Sequence, residues 1–357
     1  MQQYLNLMED IQDNLLHFIE NEEDDKSALD SFNKIINQNH ILDNKNIMIE
    51  LLSLISAISN FKCLPRNFVN KFEIIFQTFK DSIQKNFNSY ELFHIFKRNK
   101  LILYILIKHE ILIIDEWLVE EMIDERYEKY KFKQFFFPEI KIFLDNAKIN
   151  EIEPEIIKID DFEKKREKCE NDSYICQVIR NDSLDQFIKI KNSFDSMKIK
   201  DSIFETNRLL MKKSITITKY AAFYGSINIF KYFIVKKIEL EPSLLIYAIH
   251  SNNSEIIHIL EEFFNDDYVK ECFAESIKCY NYDLANYFEQ KCDVDNSIFL
   301  NGIRYHNYLF LPKIEEFRNE IYFYYLCKYN FVKIVEILMN EQDIDIKYEY
   351  QVFFNFI

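Results

Sequence analysis

The stretch Tyr220–Phe233, YAAFYGSINIFKYF, returns in divergent form along the chain: Tyr247–Leu260 reads YAIHSNNSEIIHIL, Glu275–Phe288 reads ESIKCYNYDLANYF, and Tyr325–Leu338 reads YLCKYNFVKIVEIL. Ala221, Ala248, Ser276 and Leu326 hold one position of this pattern, with 27 residues from Ala221 to Ala248 and 28 from Ala248 to Ser276. A weaker copy, GIRYHNYLFLP, puts Ile303 another 27 residues on, and an earlier one, VIRNDSLDQFI, begins at Val178. Each copy carries a small or apolar residue near the end of one helix, a tight turn four residues later, and then an apolar helix. One such pair cannot bury both faces of its helices, so neighbours must stack. The pattern predicts an all-α chain, an α-solenoid of stacked helix pairs.

The turn is the position that needs a left-handed backbone. It is occupied by Asp182, Gly225, Asn252, Tyr280, Asn307 and Asn330. Aspartate and asparagine visit that region most readily after glycine, so the turns can be made without many glycines. Tyr280 does not suit it, and its turn is expected to be shifted or strained.

The chain has 357 residues, only two glycines (Gly225 and Gly302) and five prolines. Sandwiches, barrels and doubly wound sheets rely on many glycine turns, whereas an all-α chain can do without them. Phosphate-cradling loops of the dinucleotide or P-loop kind need clustered glycines, and the nucleophile elbow needs glycines around its serine, so these chemistries are excluded. An apolar share of 48% with 16% aromatic residues is the composition of a folded chain. The net charge of −15 opposes nonspecific nucleic-acid binding.

MQQYLNLMEDIQDNLL at the N-terminus does not have the basic and apolar regions of a secretory signal. Seven scattered cysteines then read as reduced thiols of a cytoplasmic or nuclear protein. The most apolar run, Leu101–Ile114, is shorter than the roughly 20 residues that span a bilayer and contains Lys108, His109 and Glu110, so it reads as a core helix with no membrane insertion.

In the first half, apolar periodicity predicts helices over Tyr4–Ile19, Ile47–Ser59, Phe68–Phe79, Ser89–Lys97, Lys100–His109 and Asp115–Ile123. The acidic run 21–25 reads as a solvated loop. Pro138, Pro154 and the acidic residues between Glu151 and Asp161 mark a change of texture, since residues before proline avoid the helical region. The expected organisation is an N-terminal helical domain over 1–140, an acidic connector over 141–170 and a repeat domain over 171–357.

No zinc-type pair occurs: Cys169 and Cys176, like Cys272 and Cys279, are seven apart, and His250 and His258 are eight apart. Such spacings place both residues on about one helix face, as core or groove side chains. No metal, cofactor or catalytic residue is assigned.

Thr216–Gly225, TITKYAAFYG, resembles the ankyrin signature T-P-L-H-x-A-A-x-x-G. With SYICQVIRNDSLDQFI, SIFETN, YAIHSNNSEIIHILEE and ESIKCYNYDLANYF, the chain resembles a large protist family of ankyrin-repeat proteins that carry a divergent ankyrin-like domain of undefined function. The resemblance covers about residues 165–345 and extends more loosely through FNSYELFHIFKRNKLILYIL. Ile217 and Lys219 replace the proline and histidine of the signature, and 27 or 28 residues replace the usual spacing of about 33, so the hairpins between repeats are expected to be reduced. Family members continue into regular repeats after a segment like YNFVKIVEILMNEQDIDIK. The ending VFFNFI, apolar and uncapped, points to a shortened array, a truncated product or an end covered by a partner.

The resemblance implies a non-enzymatic scaffold that binds protein partners through a concave surface. By alignment that surface comprises Tyr220, Phe223, Tyr224, Tyr247, His250, Ser251, Glu275, Lys278, Tyr305, His306, Lys328 and Tyr329. Aromatic anchors are enriched at interfaces, although the same side chains can pack against the next repeat. The second reading is a structural spacer or capping segment with little binding of its own. An enzyme would need convergent ionisable groups in a cleft.

Overall fold

The computed structural model describes residues 1–21, 26–190, 198–212, 215–263, 268–293 and 298–341. Every regular element among them is helical, and the β-type pairing recorded is an isolated antiparallel bridge between Lys198 and Thr216. Most of the acidic run 21–25 and the whole VFFNFI ending lie outside the described residues.

The first helices are α1 (Gln2–Glu20), α2 (Lys26–Gln38), α3 (Lys45–Phe61), α4 (Phe68–Asn86), α5 (Ser89–Phe96), α6 (Lys100–Lys108) and α7 (Glu116–Ile123). The starts of α5, α6 and α7 follow from short polar side chains. Asn88 and Glu91 form a reciprocal capping box, Asn99 accepts from Ile102 N at 3.0 Å, and Asp115 accepts from Leu118 N at 2.8 Å. Helix α6 is the apolar run read as core, and residues 100–106 are all buried. It stops because Glu110 turns left-handed (φ 56), letting Ile111 N reach Leu106 O at 2.8 Å.

The stretch expected as a connector is largely helical. After α8 (Phe132–Phe135) and α9 (Phe137–Ile140) come α10 (Asn146–Ile157), with Pro154 inside it, and α11 (Phe162–Lys168). Burial overrides the proline preference: Ile152 and Ile156 of α10 pack with Phe137 in a small core. Arg166 of α11 is buried and pairs with Glu139 and Glu163.

The remaining helices come as hairpins. They are α12 (Tyr174–Arg180) with α13 (Leu184–Ile190), α14 (Ile217–Phe223) with α15 (Ile227–Val235), α16 (Leu244–Ser251) with α17 (Ser254–Phe263), and α18 (Val269–Lys278) with α19 (Tyr282–Glu289). Then follow the short α20 (Leu300–Arg304), leading to a 3-10 turn at Tyr308–Phe310, and the pair α21 (Glu320–Lys328) and α22 (Val332–Glu341).

One turn geometry recurs. Asp182, Gly225, Asn252, Tyr280, His306 and Asn330 all have φ between 47 and 66. In five of the six, the left-handed residue and its successor send their N–H groups back to the helix end, as Gly225 N to Ala222 O (3.2 Å) and Ser226 N to Ala221 O (3.0 Å) do. Tyr280 keeps its turn in register at φ 59; its ring is buried, and Asn281 N still reaches Ser276 O at 2.9 Å. Asn307, by contrast, has φ −89, and the left-handed residue is His306. The cause lies at Gly302, which takes the small-residue position in place of Ile303: a Cβ there would sit 2.0 Å from Phe310 O.

Contacts group the chain into two compact units, residues 58–293 and residues 1–57 with 294–357. In the first, α14 packs on α12 and α16, α16 packs on α18, and α15 packs on α13 and α17. The turns are tied as well: Ser226 Oγ donates to Ile179 O (2.6 Å), Asn253 Nδ2 to Gly225 O (3.2 Å) and Asn281 Nδ2 to Ile249 O (3.4 Å). In the second unit α1 packs on α2 and on the 3-10 turn at Tyr308, and α20, α21 and α22 pack in series.

Candidate functional site

The residues two positions before the left-handed turns, Phe223, His250 and Lys278, line up on successive hairpins of the larger unit. Phe223 stacks on His250 with ring centroids 5.1 Å apart. His250 Nε2 lies 2.6 Å from Glu275 Oε1, and Lys278 Nζ donates to the same oxygen at 2.6 Å. Burial lowers the His250 pKa. Burial also works to raise that of Glu275, but its two partners override this and hold the carboxyl at about 2.

This row is covered by the chain itself. Lys278 Nζ sits 5.1 Å over the Phe61 ring, Lys62 Nζ reaches Cys279 O at 3.5 Å, and Asn207 Nδ2 donates to Lys62 O at 3.3 Å. Towards the earlier hairpins, Arg180 donates to the Tyr220 hydroxyl at 2.5 Å, pairs with Glu170 at 3.1 Å and lies 5.9 Å from the Tyr224 ring centroid. An aromatic row left in water would expose apolar area, so the end of α3 and the 203–211 segment fold over it.

Of the twelve residues expected on a concave binding surface, Tyr220 and Phe223 are each 1% exposed, and Tyr247, His250 and His306 are also buried. Tyr224, Ser251, Glu275, Lys278, Tyr305 and Tyr329 are half-buried, and Lys328 is exposed. The displaced turn shifts one repeat: Arg304 and Tyr305 replace Tyr305 and His306 in the alignment. His306 instead stacks on Phe331 at 4.4 Å, and burial lowers its pKa to about 3. Lys328 lies over the rings of Tyr324, Tyr325 and Tyr329.

Residues that sequence reasoning passed over make a second site in the same unit. Lys100, at the first position of α6, is 1% exposed, with Nζ donating to Ile203 O at 2.7 Å; burial lowers its pKa to about 7. Glu205 is 3% exposed. Its Oε1 accepts from Thr206 N (3.0 Å) and Asn207 N (2.9 Å), its Oε2 has no hydrogen-bond partner, and burial raises its pKa to about 7. Both line a small open pocket whose rim carries Lys129, Lys131 and Lys200. A lysine opening an apolar run was the only signal for Lys100. Nothing in SIFETN singles out Glu205.

Among the described residues no cluster of histidine, cysteine, aspartate and glutamate could hold a metal ion, and no helix is long and apolar enough to cross a membrane. Among the described residues no cysteine is in a disulfide. Comparison of the chain with protein-family models, with curated proteins and with solved structures finds no match.

Proposed function

We propose that this chain is a non-enzymatic protein-interaction scaffold built from divergent ankyrin-like helix pairs, and that its inner face takes a polypeptide segment presenting an aromatic ring beside a lysine. The observation that supports this reading is the seating of Phe61 and Lys62 on the row formed by Lys278 and Cys279. Aromatic, imidazole, carboxylate and ammonium groups follow one another along that row, so it offers apolar contact and charge to one extended ligand. In the scaffold reading the chain's own segment occupies this face until a partner competes for it.

The burial of Tyr220, Phe223, Tyr247 and His250 favours a second reading, a structural spacer whose inner face is permanently filled core.

Affinity capture distinguishes the two, using the intact protein, a Phe61→Ala, Lys62→Ala variant that uncovers the row, and a Lys328→Glu, Tyr329→Asp variant at the end of α21. Each must first give the helical circular dichroism of the wild type. Partners gained by the first variant or lost by the second support the scaffold; three identical profiles favour the spacer.

A further inference from the structure

The cavity rimmed by Lys129, Lys131 and Lys200 shares Tyr220 with the inner face but is argued from other residues. In a chain of net charge −15, four lysines converge on one opening, with Lys100 at its floor. Among the described residues none of the four is ion-paired with a carboxylate. Lys100 spends one N–H on Ile203 O and keeps at least one more to offer. Lys131 is held at φ 54, ψ 39, a conformation that costs a non-glycine residue free energy and tends to persist where the surroundings fix it.

The opening continues into a groove of about 350 Å3, which shares Lys129, Lys131, Asp201 and Met211 with the cavity. The remaining clue is an acid. Glu205 lines the same cavity with one carboxylate oxygen engaged by two backbone N–H groups and the other, buried, without a partner. A buried acceptor left unmatched is costly, and a ligand that supplies the missing donor is favoured for that reason.

We propose that this cavity binds a protonated phosphate group. Such a group meets both halves of the site at once: its unprotonated oxygens accept from the lysine ammoniums, and its P–O–H donates to Glu205 Oε2. Sulfate and carboxylate ligands match the lysines but bring no hydroxyl, and the ionised form of Glu205 repels them. The adjoining groove leaves room for the organic part of a phosphate monoester, bound as the monoanion that keeps its P–O–H. The site therefore selects hydrogen phosphate chemistry over other anions of similar size, whether as the free ion or as an ester.

The test is isothermal titration calorimetry of the full chain with inorganic phosphate, with sulfate, and with glycerol 3-phosphate, all at one ionic strength held with sodium chloride. Wild type is expected to bind phosphate saturably and at least tenfold more tightly than sulfate. Glu205→Gln places an amide donor where the carboxylate was and is expected to erase that preference while keeping an anion site.

A Lys129→Gln, Lys131→Asn, Lys200→Gln triple variant, whose asparagine tolerates the left-handed backbone, is expected to lose at least tenfold in phosphate affinity with unchanged helicity. A control triple at exposed lysines elsewhere, Lys34→Gln, Lys189→Gln, Lys270→Gln, is expected to bind as wild type does. Tighter binding of the ester than of the free ion assigns the groove to an organic phosphate, and the reverse assigns the site to the ion. Absence of saturable phosphate binding, equal affinity for sulfate in the wild type, or an equal loss in the control triple would each overturn the proposal.

Discussion

Glu50 accepts a hydrogen bond from the Tyr308 hydroxyl at 2.9 Å across 258 positions of the chain, in an environment from which water is excluded. Tyr4 donates to the same oxygen at 2.8 Å, while Lys333 N and Ile334 N, at the start of α22, donate to Oε1 at 2.6 and 3.2 Å. One carboxyl thus joins α1, α3, the 3-10 turn after α20, and α22 within the smaller unit. The helix N-terminus supplies the two backbone donors, the end of a helix that best tolerates negative charge.

Burial raises the Glu50 pKa from 4.5 to about 7, opposed by its four donors. The folded chain therefore retains a proton that the unfolded chain releases, so this group's contribution is full below pH 4.5, declines as pH rises towards 7 and is constant above. At about 1.36 kcal/mol per pH unit, the decline amounts to roughly 3 kcal/mol. Subtracting the urea stability of Glu50→Gln from that of wild type between pH 4.5 and 8 removes the other titrations, Glu205 and His306 included. The difference should fall by that order as pH rises. Glu50→Ala, which strands four donors, should cost about 3–5 kcal/mol at neutral pH. A pH-independent difference would show that Glu50 ionises freely.

The turn residues give a paired prediction. Gly225 is at φ 66, and a Cβ there would lie 3.2 Å from Ser251 Cβ, so Gly225→Ala should cost about 1–2 kcal/mol. Lys237 is exposed at φ 51 and closes α15 through Ile238 N to Phe233 O at 3.0 Å, so Lys237→Gly should stabilise by about 0.5–1 kcal/mol. Gly302→Ala, blocked by the Phe310 carbonyl, should cost about 3 kcal/mol. Thermal unfolding followed by circular dichroism ranks the three; a raised midpoint for Gly225→Ala would contradict the strained-turn account.

Asn253 carries two bonds at once: its Oδ1 caps α17 by accepting from Ile256 N at 3.1 Å, and its Nδ2 reaches back to Gly225 O at 3.2 Å. Asn253→Ala should cost about 2 kcal/mol, half from each bond. Asn253→Asp keeps the cap and loses the donor, and should cost about half as much. If Asn253→Asp proves as stable as wild type, the bond between hairpins contributes nothing; if it proves no more stable than Asn253→Ala, the cap contributes nothing.

The helical class and the turn position were legible because both are local. Aspartate, glycine and asparagine at 182, 225, 252 and 330 announce a left-handed residue, and the structure puts one at each. Tyr280 was expected to have a shifted or strained turn; the turn is not shifted, and the tyrosine instead takes the left-handed conformation at φ 59 with its ring buried. The copy near residue 303 was aligned one residue late, since only the approach of the Phe310 carbonyl reveals that Gly302 is the small position. What covers the inner face was not legible. Phe61 and Lys278 meet from opposite ends of the larger unit, and no periodicity relates them. Lys100 and Glu205 stayed hidden for the same reason: their character comes from burial contributed by segments about a hundred residues apart.

The inner face is where sequence alignment and structure call for different experiments, and the contrast can be measured. Phe223 was expected to project outward, yet it is fully buried against His250 and Tyr224. Phe223→Asp should therefore act as a core lesion, losing the ring's burial and leaving a carboxylate without a partner, at a cost of about 3–5 kcal/mol and with early loss of helicity on heating. Lys328→Glu, at the exposed end of α21, should change stability by no more than about 0.5 kcal/mol. Thermal melts of both variants decide the matter. A Phe223→Asp protein as stable as wild type would mean that the segment carrying Phe61 lifts readily from the row, and that the face is open to partners in solution.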